Sequence, residues 1–115
     1  MQTTVLTDKQ HKSLLNKILN SLEKNYKVIP LNSLKHPNYM LKNPVFITIE
    51  QDKNMVIASL DDIETFAYAD TEFEAINLLC EEIIILYEDL RSDRKLLGKL
   101  PAKWLAYLEE IIRRK

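Results

Sequence analysis

The chain of 115 residues contains a single glycine, Gly98. A loop that wraps a phosphate needs several glycines, because its backbone must approach the ligand closely and adopt φ angles that other residues resist. The composition therefore excludes a glycine-rich nucleotide loop. The sequence also shows no Walker pattern, no set of zinc ligands and no nucleophile elbow. We accordingly predict no catalytic residue and do not expect an enzyme.

Cysteine is equally scarce, with Cys80 as its only instance. One cysteine excludes an internal disulfide framework and is typical of a protein from a reducing compartment. Cys80 falls within an apolar helical stripe, so we interpret it as a small buried hydrophobe rather than a nucleophile. His36 has no other ligand-type residue at metal-binding spacing, so neither a metal nor a cofactor is predicted.

Long hydrophobic runs are missing too. No apolar run approaches the ~20 residues of a membrane span, and the polar start, Met1 to Gln10, does not resemble a signal peptide. The prediction is a cytoplasmic protein that does not enter a membrane. The 46% hydrophobic and 29% charged residues suit one globular domain covering residues 1–115.

The overall charge of −1 conceals three blocks of opposite sign. Residues 1–44 carry seven lysines and two acids, and residues 91–115 carry eight bases and three acids, so each flank has a charge of +5. Residues 45–90 carry twelve acids and only Lys53, a charge of −11. Two interpretations stay open: the middle segment docks a basic macromolecule, or the basic flanks fold back and neutralise it.

The N-terminal residues 7–25 are predicted to form a helix. Thr7 and Gln10 stand at capping-box spacing, and apolar residues then recur at helical intervals from Leu15 to Tyr26. Residues 26–44 are less regular. Tyr26 to Ile29 could form a short edge strand, which Pro30 limits because it cannot donate to a ladder.

Residues 45–90 predict a β-β-β-α module. Val45, Ile47 and Ile49 alternate with Phe46, Thr48 and Glu50, the period of a half-buried strand, and Met55 to Leu60 forms the return strand. We expect Asn54 to take the positive φ of the hairpin loop. Ile63 to Ala69 supplies a third strand, so the prediction is a three-stranded antiparallel sheet.

Two further helices complete the predicted α+β fold. Thr71 and Glu74 form a capping box that opens the long helix of the module, and its apolar face is too wide for one covering surface. We therefore expect the sheet on one side and the terminal helices or a second copy of the chain on the other, as in a homodimer or higher oligomer. Residues 101–114 are predicted to form the last helix, opened by Pro101.

The module resembles the HicB family of antitoxin-like proteins. The matching residues are Val45–Glu50, Met55–Ser59, Asp61 and, above all, Phe66-Ala-Tyr-Ala-Asp-Thr71 followed by Glu74-Ala75 and an apolar helix. The family's prolines and glycine after the second strand stand here as Leu60, Ile63 and Glu64. Its hairpin glycine is replaced near Asn54, and Ala69 replaces the glycine before Asp-Thr. The resemblance implies a truncated ribonuclease-H-like sheet packed by a long helix.

The resemblance also implies a function. HicB-like antitoxins bind a small basic RNA-cleaving toxin of the HicA type and block its active site, which fits a module of charge −11. The first strand has no mid-strand aspartate, so nuclease activity is not implied. Residues 99–115 have room for one helix only, so the C-terminal DNA-binding domain of many members is not predicted.

The sequence and its resemblance predict a non-catalytic module that binds a basic protein through its acidic loops and its third strand. The predicted partner-binding residues are Glu50, Asp52, Asp61, Asp62, Glu64 and Tyr68. One alternative is nucleic-acid binding by the basic terminal segments, through Lys12, Lys17, Arg113 and Arg114. The other is a homodimeric scaffold with no separate activity.

Overall fold

A computed structural model describes Lys12, Leu15 and residues 26–115. It confirms the α+β class, with a four-stranded antiparallel sheet, a two-stranded ribbon and two helices among these residues. In chain order the elements are β1 (Tyr26–Leu31), β2 (Tyr39–Leu41), β3 (Val45–Asp52), β4 (Met55–Leu60), β5 (Thr65–Ala69), α1 (Glu72–Ser92), α2 (Lys99–Ile111) and β6 (Ile112–Arg114), with 3-10 turns at Asp61–Ile63 and Arg94–Leu96.

The N-terminal helix predicted over residues 7–25 lies outside the described residues, apart from two positions. Lys12 and Leu15 are both helical and exposed. Thr7, Gln10 and Lys17 are not described.

The main sheet has the strand order β1-β3-β4-β5, so the prediction of three strands was wrong by one. The fourth strand is β1, which pairs antiparallel with β3 from Tyr26 opposite Glu50 to Leu31 opposite Val45. Pro30 lies within β1. It is tolerated there because β1 is at the edge of the sheet, where a missing N–H need not interrupt a ladder on both sides.

The two faces of this sheet have different roles. One face, here called the helix face, carries the buried side chains Ile47, Ile49, Ala58, Leu60 and Ala67. Helix α1 contacts β4 and β5 on this face. Ala58 lies opposite Ala67 in the β4–β5 register, and Ala75 of α1 is also fully buried. These small side chains allow the helix and the sheet to approach closely, as close packing of the core requires.

The opposite face, here called the open face, carries the alternate residues of the same strands. Cross-strand register places Thr48, Ser59 and Phe66 in one row, and Glu50, Ile57 and Tyr68 in the next. Phe66 and Tyr68 are 59% and 58% exposed, and Phe46 is exposed to a similar extent. No described helix packs on this face, and its three aromatic rings are exposed, although Thr48 in the same face is buried.

Helix α1 begins as the sequence predicts. Thr71 is its N-cap: the Glu74 backbone N–H donates to Thr71 Oγ1 (3.2 Å), and the Thr71 hydroxyl donates to Glu74 Oε1 (3.0 Å). The apolar stripe that includes Leu79, Ile83 and Leu90 is buried. The capping prediction is confirmed, and the helix continues to Ser92.

The last helix ends earlier than predicted. Helix α2 begins at Lys99 and ends at Ile111, and residues 112–114 are extended rather than helical. The cause is the pairing of β6 with β2, where Leu41 faces Ile112 and Tyr39 faces Arg114. This pairing buries Ile112 and gives Lys115 N–H an acceptor at Asn38 O (3.0 Å). The helical spacing of apolar residues predicts a longer helix, because Ile111 and Ile112 both fit its apolar stripe.

Two turns differ from the prediction, and a residue other than glycine adopts left-handed backbone in each of them. In the β3–β4 hairpin it is Lys53 (φ 55°), not Asn54, since Asp52 pairs with Met55 and leaves a two-residue loop. A positive φ at the first loop residue alone is the sign pattern of a type II′ turn, which favours glycine there. The strand predicted from Ile63 begins instead at Thr65, after the 3-10 turn and Glu64 (φ 52°).

Neither helix described here is long and apolar enough to cross a bilayer.

The hairpin assignment has a direct test in two glycine substitutions. Lys53→Gly should raise the free energy of unfolding by about 0.5–1 kcal/mol, because relief of left-handed strain exceeds the added entropy of the unfolded chain. Asn54→Gly should lower the free energy of unfolding by about 0.5 kcal/mol, because it adds that entropy without relieving strain. Urea denaturation at about 0.5 M salt, which screens the lost lysine charge, measures both. The opposite ranking would contradict the assignment.

Candidate partner-binding surface

Three of the six predicted binding residues lie together at one end of the sheet. Glu50 and Tyr68 belong to one cross-strand row of the open face, and Asp52 ends β3 beside them. Glu50 and Asp52 make no ion pair or hydrogen bond with any described residue. The side chain of Tyr68 projects from β5, which is an outer strand of the sheet. We call these three residues with Asp70 the hairpin-end cluster.

Asp70 and Glu74 are functional candidates that sequence reasoning assigned only to the start of α1. A cleft of about 790 Å³ separates the β3–β4 hairpin from the end of β5 and the start of α1. Asp52, Asp70 and Glu74 line it, with Lys53 as its only cation. Tyr68 forms part of the same wall. The sequence signal was available in the pair Asp70 and Glu74 flanking the helix start, but only the sheet register brings them opposite Asp52.

The other three predicted residues lie at the opposite end of β4. Asp61 and Asp62 belong to the first 3-10 turn, and Glu64 follows it. Tyr107 of α2 donates a hydrogen bond to Asp62 Oδ2 (3.0 Å), and Asp61 is already partnered. Glu64 is exposed and has no ion pair with a described residue. We call these three the link-end cluster.

The predicted site is therefore two clusters rather than one patch. Strand β4 has six residues, so roughly 17–20 Å of strand separates the hairpin end from the link end. The exposed ring of Phe66 lies between them on the open face. A partner that touched both clusters would have to cover that ring.

Internal neutralisation of the acidic segment is limited among the described residues. Lys27 Nζ of β1 lies 2.9 Å from Glu72 Oε1 at the start of α1. Their side chains are 56% and 42% exposed, and an ion pair that open to solvent contributes little, with a median of about 0–1 kcal/mol. Arg94 and Glu109 form a second ion pair, but both belong to the C-terminal segment. Neither ion pair neutralises a carboxylate of the hairpin-end cluster.

One polar group on the open face is buried without a partner. Thr48 is 1% exposed, and its Oγ1 makes no hydrogen bond. An unsatisfied buried hydroxyl costs about 1–3 kcal/mol. In the sheet register Thr48 lies opposite Ser59 of β4 and Val28 of β1.

The alternative prediction, nucleic-acid binding, rests on residues near the two ends of the chain. Arg113 and Arg114 are exposed on β6, and Arg113 Nη2 lies 3.4 Å from Met40 Sδ. Lys12 is exposed, and Lys17 lies outside the described residues. The structure thus brings two of the four residues together at the carboxyl end of the chain.

Cys80 is buried as predicted, and its Sγ lies 3.7 Å from Ser33 O. Burial raises the pKa of this thiol above its ordinary value, which leaves it protonated and unreactive at neutral pH. Within the described part of the chain, no three His, Cys, Asp or Glu side chains are grouped so as to hold a metal ion.

The chain matches no protein-family model, no curated protein and no solved structure. The HicB-like assignment accordingly stays a prediction that rests on the residues quoted above.

The Asp62–Tyr107 contact has a pH signature. Burial, with the neighbouring Asp62 carboxylate adding to it, raises the pKa of the Tyr107 phenol well above its usual range. The unfolded phenol ionises near pH 10, so this contribution to stability is present below that pH and is lost as the pH rises above it.

We therefore expect the free energy of unfolding to fall less between about pH 8 and pH 10.5 in Tyr107→Phe than in the unaltered chain. Urea denaturation at the two pH values measures the difference. Tyr68→Phe, which alters an exposed phenol, is the matched control. Equal losses in the unaltered chain and in Tyr107→Phe would show that the buried phenol makes no such contribution.

Proposed function

We propose that this protein is a non-catalytic binding module that docks a small basic protein on its hairpin-end cluster. The observation that carries the proposal is the group of unpartnered carboxylates of Glu50, Asp52 and Asp70 around the exposed ring of Tyr68. An aromatic side chain next to uncompensated acids suits lysine and arginine, through cation–π contacts and ion pairs.

The outer strand β5 supplies a second mode of contact. No described strand pairs with its outer edge, so its N–H and C=O groups are available to an extended segment of the partner. Main-chain pairing would give affinity. The exposed rings of Phe66 and Tyr68 would contact alternate side chains of the added strand and so give specificity.

Charge supports a basic partner independently of the strand edge. The segment 45–90 has a charge of −11, and its described acids are mostly exposed. Complementary charge mainly accelerates the encounter and rejects partners of the wrong sign. The function would then be fast capture of a cationic protein.

The proposal keeps the HicB-like interpretation, in which the basic partner is an RNA-cleaving toxin of the HicA type. Two backbone observations are compatible with it. The family's glycine after the second strand corresponds to Glu64, and the family's hairpin glycine lies near Asn54. Left-handed φ angles occur at Glu64 and at Lys53, next to Asn54, which is the conformation that glycine adopts most easily.

Co-expression with the neighbouring reading frames of its own genome tests the proposal. A small basic protein should co-purify and bind with an association rate that falls steeply with salt. The triple variant Glu50→Gln, Asp52→Asn, Asp70→Asn should slow association about 10-fold at low salt, because it removes three steering charges. Tyr68→Ala should instead raise the dissociation rate.

The matched control is Asp61→Asn, Asp62→Asn, Glu64→Gln, which removes the same charge at the link end and should have the smaller effect. Failure of any basic protein to co-purify would contradict the proposed function. Equal slowing by the two triple variants would contradict the assignment of the hairpin-end cluster.

A homodimer is the second candidate, and the outer side of α1 favours it. Leu78 and Ile85, one heptad apart, are both exposed there, and Ile85 and Phe73 border a cleft of about 690 Å³. Burial of these side chains against a second copy would provide the additional covering surface expected for α1. Sedimentation velocity should show a dimer that Ile85→Asp converts to a monomer; a monomer for the unaltered chain at high concentration would dismiss this candidate.

A further inference from the structure

A third cleft lies where the carboxyl end of α1 meets the β2–β6 ribbon. It has a volume of about 400 Å³, and its lining residues are Tyr39, Glu88, Arg91, Ser92, Arg94 and Arg114. The three arginines come from three separate elements: the last turn of α1, the second 3-10 turn and β6. The ribbon brings them together, because Arg114 pairs with Tyr39 across it.

The arginines are held in different ways. The Arg91 guanidinium lies over the Tyr87 ring, 5.1 Å from its centroid. Arg94 forms a two-point ion pair with Glu109, in which Nη1 lies 3.3 Å from Oε1. Arg114 makes no ion pair with a described residue. The Arg91 guanidinium is thus oriented in advance, which lowers the entropy that a ligand must remove, and Arg114 is free to close on the ligand. Arg94 is engaged by Glu109 and borders the cleft.

The charges that face the cleft decide which ligand suits it. Glu88 is the only carboxylate in the lining, and its Oε2 already accepts a hydrogen bond from the Tyr39 hydroxyl (2.8 Å). The dipole of α1 adds about half a negative charge at this end, and Glu109 offsets Arg94. The positive charge of Arg91 and Arg114 therefore exceeds the remaining negative charge, so the cleft favours an anion.

We infer that this cleft binds phosphate groups of a nucleic-acid backbone. A phosphate presents several acceptor oxygens, so it can engage two guanidinium groups and the Ser92 hydroxyl at once. Arg113 and Lys115 flank Arg114 in the sequence and are exposed, so a chain of phosphates longer than the cleft meets further positive charge at this end of the ribbon. A free phosphate has no such second contact.

Recognition at this cleft is independent of base sequence. Tyr39 and Tyr87, the aromatic rings nearest the arginines, are both buried and offer no platform on which bases could stack. Contacts limited to the backbone give binding that depends on salt rather than on sequence. This site is separate from the hairpin-end cluster and does not depend on the proposed function.

Fluorescence anisotropy of labelled oligo(U) and oligo(dT) of about 20 nucleotides tests the inference over about 50–200 mM salt. The full chain should bind both. The double variant Arg91→Gln, Arg114→Gln should weaken binding roughly 10-fold and make the salt slope shallower by about 1.4, since each lost contact to a single strand removes about 0.7.

Lys99→Gln with Lys103→Gln is the matched control, because it removes two exposed charges from α2 outside the cleft and should change affinity by less than about 2-fold. If the double arginine variant unfolds, Arg114→Gln alone serves, since Arg114 has no described ion pair to lose. Absence of binding at low salt, or equal weakening by both double variants, would overturn the inference. Competition by inorganic phosphate or by a phosphopeptide at concentrations that match the oligonucleotide would also overturn it.

Discussion

The packing of α1 on the alanine-rich centre of the sheet is the contact on which the rest of this structure depends. Ala58 and Ala67 face each other across two strands, and Ala75 of the helix is buried against this region. Because none of the three side chains extends beyond Cβ, the larger residues around them, such as Leu79 and Ile83, can reach the sheet. The core is thereby built on one side of the strands, and their other side is left with exposed aromatic rings.

That one-sided arrangement also explains where the charges lie. An acidic segment of charge −11 opposes its own compaction, so its carboxylates are stable only where water solvates them. The fold places them at both ends of β4 and on the outer side of α1. Arginines from the last turn of α1, the following 3-10 turn and β6 gather at the carboxyl end of α1. The result is a molecule with opposite charge at the two ends of its long helix, suited to partners of opposite sign.

Much of this fold could be predicted because local signals and tertiary packing agree. The Thr71–Glu74 cap has a local physical cause and is present in the structure. Strand β3 buries Val45, Ile47 and Ile49 as its alternation predicts, but Thr48 of the opposite face is buried as well. The β2–β6 ribbon could not be predicted. Its strands have three residues each. Ile112 fits the helical spacing of α2, but it is extended in the structure because it pairs with Leu41. The left-handed residue Lys53 was missed for a similar reason, since strand register rather than residue preference selects the turn.

The residue types of the candidate site could be predicted from the sequence, but their positions relative to one another could not. Asp61, Asp62 and Glu64 lie in the connection after β4, as expected, but Glu50 and Asp52 belong to β3 rather than to a loop. Only the strand register separates these two groups of acids, and only the tertiary fold adds Asp70. Of the three arginines in the cleft, only Arg114 was a candidate from the sequence, because the three are separated by up to 23 positions and are joined by a ribbon that was not predicted.

The central claim is that α1 covers one face of the sheet and that no helix among the described residues packs on the other face. Ala58 and Ser59 are neighbours on β4 that point to opposite faces, and Ala58 is 0% exposed. Urea denaturation of Ala58→Leu should show a loss of about 1–3 kcal/mol or more from overpacking, whereas Ser59→Leu should change the free energy of unfolding by less than about 0.5 kcal/mol. Equal losses in the two variants would mean that both faces are packed, and the account would be wrong.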